Sequence, residues 1–114
     1  MHEAAITQGI IDTVLETIRE HGIDVPVRKV NVTIGVCQGL IPESMQMYFD
    51  MATEHTPLAG SELVLTVQPI VAWCRGCKHE LELSEAVLIC PQCAFPMDLR
   101  KGTELNVSSI EVDQ

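Results

Sequence analysis

Two short turns, "CRGC" at 74 to 77 and "CPQC" at 90 to 93, lie twelve residues apart and constrain the fold more than any other feature of the chain. A Cys-x-x-Cys turn carries two sulfurs to one point, and two such turns complete a tetrahedral Zn2+ shell with Zn–S distances of about 2.3 Å. Cys74, Cys77, Cys90 and Cys93 are therefore the expected zinc ligands. Four sulfurs leave no position for water or substrate, so the site is expected to be structural. In a piece this small, metal-binding free energy becomes folding free energy. Gly76 offers a positive φ to the first turn, and Pro91 shapes the second. Four thiolates around Zn2+ carry a formal charge of two minus, which Arg75 and Lys78, with Arg100 and Lys101 further on, are expected to offset. A redox dithiol or a pair of disulfides is the competing chemistry, but the motif occurs twice and away from the strand-to-helix junction a thioredoxin-like site uses. Cys37 stands alone and reads as a small buried apolar residue. His79 reads as a solvated histidine on a hairpin, with a place beside the metal as the alternative.

The rest of the composition limits what surrounds this staple. At 114 residues the chain has room for one small domain and a subdomain. It has no run near the roughly 18 apolar residues of a membrane span. The start has no basic region leading into an apolar stretch, so the expected compartment is the reducing cytoplasm, where cysteines remain thiolates. Seven Lys and Arg against 16 Asp and Glu give a net charge of -9, which repels a phosphate backbone. Nucleic acid is accordingly not an expected partner.

Before the cysteines, Ile6, Ile10, Val14 and Ile18 recur at helical spacing, with Ile11 and Leu15 widening the stripe, and Gly22 is a natural stop. From Lys29 to Ile34 polar and apolar residues alternate, which predicts a half-buried strand. Gly35 and Gly39 bracket a turn, and Pro42 opens a second helix bearing Met45, Phe49 and Ala52 on one side. "GSELVLTV" (60 to 67) and "GTELNV" (102 to 107) read as two more strands, the latter slipping phase at Ser108 and Ser109. The expected fold class is α+β: a small mixed three-stranded sheet packed by two helices, with an inserted zinc-ribbon-like subdomain built on the four cysteines. The expected boundaries are 1–72 plus 98–114 for the α/β domain and 73–97 for the zinc-binding insert. No Gly-rich phosphate loop or nucleophile-and-base pair is present, so an enzyme is not expected.

The start, "MHEAAIT", places a histidine beside a free amine. Met-His-Glu, the paired "CxxC…CPxC" motif and the closing "GTELNVSSIEV" together resemble the HypA/HybF family of nickel metallochaperones, which serve NiFe-hydrogenase maturation. The resemblance spans essentially the whole chain, although Ala4 replaces a larger residue and Ala94 and Phe95 follow the second pair where some members carry histidine. It implies that Ni2+ is carried at Met1, His2 and Glu3, with the GTPase HypB and the hydrogenase large-subunit precursor as partners. The residues suit that chemistry. The Met1 amine, the His2 amide and the His2 imidazole can close adjacent five- and six-membered chelate rings, and the Glu3 amide is the expected fourth donor. Imidazole and ionised amides favour square-planar Ni(II) or Cu(II). The Glu3 carboxylate can act as axial ligand, imidazole partner or helix cap. Bulky His2 disfavours removal of Met1. The rival reading is a zinc-ribbon protein-protein adaptor with no nickel role, and the sequence leaves monomer or homodimer open.

Overall fold

The computed structural model describes residues 2–113. Its elements are α1 (His2–Glu20), β1 (Val27–Gly35), α2 (Pro42–Ala52), β2 (Glu62–Gln68), β3 (Ile70–Cys74), β4 (His79–Leu83), β5 (Met97–Lys101) and β6 (Leu105–Val112), with a short 3-10 turn at Val36–Gln38. The chain divides into two compact units, one of residues 1–33, 40–66 and 106–114, the other of 34–39 and 67–105. The unit holding the cysteines thus reaches beyond the expected 73–97, because the whole of β3 and β5 folds with the cysteine turns.

In the first unit, α1 buries Ile10, Ile11, Val14 and Ile18, the stripe read from its spacing. It ends in a Schellman motif: Ile23 N–H donates to Ile18 O, Gly22 N–H donates to Arg19 O, and Gly22 sits at φ 61. β1 buries Val30 and Val32 on its alternate positions. Pro42 lies in the first turn of α2, where its missing N–H costs nothing, and Met45 and Phe49 are fully buried. Ser61 Oγ donates to Val27 O, setting the start of β2 beside the start of β1, as a crossover through α2 requires. The strand order is β2-β1-β6. Asp113 N–H donates to Pro26 O at one end and Gly35 N–H to Glu104 O at the other, so β6 runs antiparallel to β1. Along β6 the half-buried positions pass from Val107 to Ile110 and Val112, which is the phase slip expected at Ser108 and Ser109.

The second unit carries its own antiparallel sheet, ordered β4-β3-β5, where the sequence pattern predicts only an insert. Cys74 pairs with His79 in β4 and with Met97 in β5. Its core is small: Ala72, Cys74, Cys90 and Met97 are buried, with Cys77, Leu81, Leu83 and Leu88 packed around them. Two of those core residues are cysteines. A core of this size offers little apolar burial to hold a sheet, and a metal on the four cysteines would supply a further constraint.

Candidate metal centre

Both Cys-x-x-Cys turns close with the same backbone bond, from the N–H four residues on to the carbonyl of the leading cysteine, and each aims a further N–H at that cysteine's sulfur. In the first, Lys78 N–H donates to Cys74 O at 2.7 Å and Cys77 N–H points at Cys74 Sγ at 3.3 Å. In the second, Ala94 N–H donates to Cys90 O at 2.9 Å and Gln92 N–H points at Cys90 Sγ at 3.4 Å. The residue four places after each leading cysteine takes the left-handed conformation, Lys78 at φ 58 and Ala94 at φ 63. Gly76, expected to supply that conformation, does not. It is there for space: a Cβ on it would lie 2.8 Å from Phe95 Cδ2 and 3.0 Å from Cys93 Sγ.

β3 delivers Cys74 from its last residue, and the Ile89–Pro96 bridge delivers the second turn. The four sulfurs lie within 4.8 Å of one another, with Cys74–Cys93 at 3.4 Å and Cys77–Cys90 at 3.8 Å. A tetrahedral ion with bonds of about 2.3 Å separates its ligands by about 3.8 Å, so the donor set and the spacing fit zinc. All four are free thiols rather than disulfides. Without a cation they cannot all ionise. Donation from the Gln92 N–H brings the Cys90 thiol down to about 6. Cys77 is pushed up to about 12, first by its hydrogen bond with Cys93 and then by burial.

Two of the cations expected to offset the cluster's charge have partners of their own. Arg75 makes a bidentate pair with Asp98, at 2.9 and 3.1 Å, and Arg100 lies 5.5 Å from the centre of the Trp73 ring. The N–H groups of Cys77 and Gln92, aimed at the Cys74 and Cys90 sulfurs, also favour the thiolate form. His79 is outside the cluster, its Nδ1 3.3 Å from Cys77 O. Cys37 is exposed rather than buried, and its N–H donates to Gly102 O at 2.8 Å.

At the amino terminus, Met1 lies outside the described residues. His2 is exposed at the first position of α1. Glu3 is buried, 7% exposed, and its Oε2 accepts the Ile41 N–H at 2.9 Å. The amino-terminal ammonium first, and then the N–H groups of Glu3 and Ile41, lower its carboxyl to about 2.

The family model described as "Hydrogenase/urease nickel incorporation, metallochaperone, hypA" matches residues 1–112. The chain belongs to the HypA family. The hydrogenase maturation factor HypA of Desulfosudis oleivorans is 38% identical over 116 residues, covering all of both chains. That of Caldanaerobacter subterraneus is 36% identical, covering 99% of this chain and 100% of its own. The fold agrees with the solution structure of the Ni metallochaperone HypA from Helicobacter pylori, at TM-score 0.62, 17% identity and 96% coverage of each chain. A second HypA solution structure matches at TM-score 0.68 and 18% identity, covering 98% of this chain and 96% of its own. Membership makes this chain one of a family of metallochaperones and maturation factors, with a four-cysteine metal-binding cluster of its own. Among the described residues no helix is long and apolar enough to cross a membrane.

Proposed function

We propose that this chain carries Ni2+ on its amino terminus for insertion into NiFe hydrogenase, while Cys74, Cys77, Cys90 and Cys93 hold a resident Zn2+. The carrying observation is the four-sulfur cluster in a chain of a nickel-incorporation family. Four sulfurs saturate a tetrahedral ion. The cargo therefore binds elsewhere, and His2 stands exposed at the start of α1.

The helix start suits the chemistry. The first four N–H groups of an α-helix have no intrahelical acceptor, so ionising the His2 amide breaks no helical bond. The positive end of the helix dipole favours the anion formed. The Met1 amine, His2 amide nitrogen and His2 imidazole then occupy three corners of a square. A five-membered ring ties the Glu3 amide to the His2 amide, and such a ring spans neighbouring corners, never opposite ones. With the amine and imidazole flanking the His2 nitrogen, the Glu3 nitrogen cannot complete the plane. The fourth corner accepts an outside donor, which is how a carrier can pass its metal on by ligand exchange. Zinc, when bound, supplies a closed crosslink between the two turns. The GTPase HypB and the hydrogenase large-subunit precursor are the proposed partners, in the cytoplasm.

The test is a nickel titration of tag-free protein with Met1 confirmed by mass, beside His2→Ala, with zinc counted in both. One zinc per chain in each and stoichiometric nickel in the parent alone is the expected result. Equal nickel binding by both proteins overturns the terminal site. Binding by neither returns the zinc-ribbon adaptor reading.

A further inference from the structure

Of the Met1-His2-Glu3 run, Glu3 is the member whose carboxylate the fold engages elsewhere. Ile41 is the N-cap residue of α2, and no side-chain cap serves that helix from its own sequence. In a capping box, a Glu or Gln three residues into the helix reaches back to the N–H of the N-cap residue. Here that position holds Ser44, which is too short, and Pro42 has no N–H to offer. Glu3, 38 residues earlier, fills the role: its Oε2 accepts the Ile41 N–H at 2.9 Å. The contact is shielded, since Glu3 is 7% exposed and Thr7, one turn further along the same face, is fully buried.

Resting on the nickel reading above, we propose that Glu3 is a positioning residue: its carboxylate braces the nickel-chelating amino terminus against the first turn of α2 through the Ile41 N–H, and it is not a nickel ligand. The brace holds the first turn of α1 in place while His2 remains exposed. It also carries nickel loading to α2. Nickel takes up the amide of the neighbouring His2 in the same helical turn, and the Ile41 hydrogen bond is the link that persists.

The experiment compares the full-length, zinc-loaded parent with Glu3→Ala and Glu3→Gln, reading Ile41 amide exchange without nickel, the nickel absorption band, and nickel-induced amide shifts at residues 43 to 45. Loss of a hydrogen bond to a charged acceptor should speed Ile41 exchange about tenfold or more in Glu3→Ala. Glu3→Gln keeps an acceptor oxygen and should remain within about threefold of the parent. The nickel band should stay put in both variants, and the shifts in α2 should persist in Glu3→Gln and vanish in Glu3→Ala. A band that moves in both variants makes the carboxylate a ligand and overturns the proposal. Parent-like Ile41 exchange in Glu3→Ala removes the brace. Should the parent bind no nickel at its terminus while Ile41 exchange behaves as expected, the nickel reading has failed, and with it the coupling, leaving a hydrogen bond of structural value only.

Discussion

Replacing Gly35 with alanine tests whether the end of β1 is set by close backbone contact. A Cβ on Gly35 would lie 2.0 Å from Gly102 O, 2.1 Å from Gly102 C and 2.6 Å from Thr103 N. Ordinary carbon–oxygen contact begins at about 3.3 Å, so the two backbone segments must separate by about 1 Å or more. That separation stretches two hydrogen bonds, Gly35 N–H to Glu104 O at 2.7 Å and Cys37 N–H to Gly102 O at 2.8 Å. Each is worth about 1 kcal/mol net. Overpacking adds about 1–3 kcal/mol, for a loss of about 3–5 kcal/mol, a large part of the stability of a small domain. The one tryptophan, Trp73 in β3, lies in the same unit as Gly35 and reports its unfolding in urea. Gly9 is the control: it is exposed in α1, a Cβ there meets nothing within 4 Å, and Gly9→Ala should add about 1 kcal/mol, followed by circular dichroism. A Gly35→Ala protein unfolding within about 1 kcal/mol of the parent would refute the argument, since the clash is with backbone that has no rotamer to change.

In the proposed reading, removing zinc with a chelator should unfold the second unit, with a change in Trp73 emission, while the helical signal of α1 and α2 persists; unchanged emission with zinc gone would show that the small core suffices. Lys78→Gly and Ala94→Gly should each stabilise the protein by about 0.5–1 kcal/mol, because relief of left-handed strain of about 1–2 kcal/mol exceeds the added chain entropy; a lower urea midpoint in either refutes the strain. The Glu3 carboxyl lies at about 2 in the folded protein against an ordinary 4.5, so its contribution is complete above pH 4.5 and is lost as pH falls through about 2. Glu3→Gln should accordingly flatten stability over that acid range, and an identical acid profile for the two proteins would remove the effect.

What the sequence made legible was local. The α1 stripe, the Gly22 stop, the alternation of Val30, Val32 and Ile34, and Pro42 at the start of α2 each encode structure within a few residues, and each is where it was expected. The cysteine cluster was legible for the same reason: each turn specifies itself, and two turns suffice. The second sheet was not. Its strands are five residues each, and β4 has no fully buried position to betray a face, so its alternation reads as an exposed hairpin. Lys78 and Ala94 hold positive φ without the glycine that ordinarily signals it. The Glu3–Ile41 bond joins residues 38 apart, and no local pattern announces such a partner.

In the proposed reading, the two metals make opposite kinetic demands on one short chain, and the fold meets them at different depths. Cys74 is fully buried and Cys90 is 2% exposed, and the backbone N–H groups aimed at their sulfurs are fixed by the turns themselves. Releasing that ion requires opening the turns, which opens the small core built on the same cysteines. Retention follows from the coupling of ligation to folding. The terminal site inverts each of these features. Its imidazole is exposed, its amide donor belongs to a helical turn whose N–H groups have no helical acceptor, and one corner of the square is left to a ligand from outside. Nickel can then enter and leave without any element of the fold coming apart. A carrier needs that freedom, but it also needs the loaded end to be held in a recognisable place, and the Glu3 contact to the start of α2 restrains the turn without closing the site.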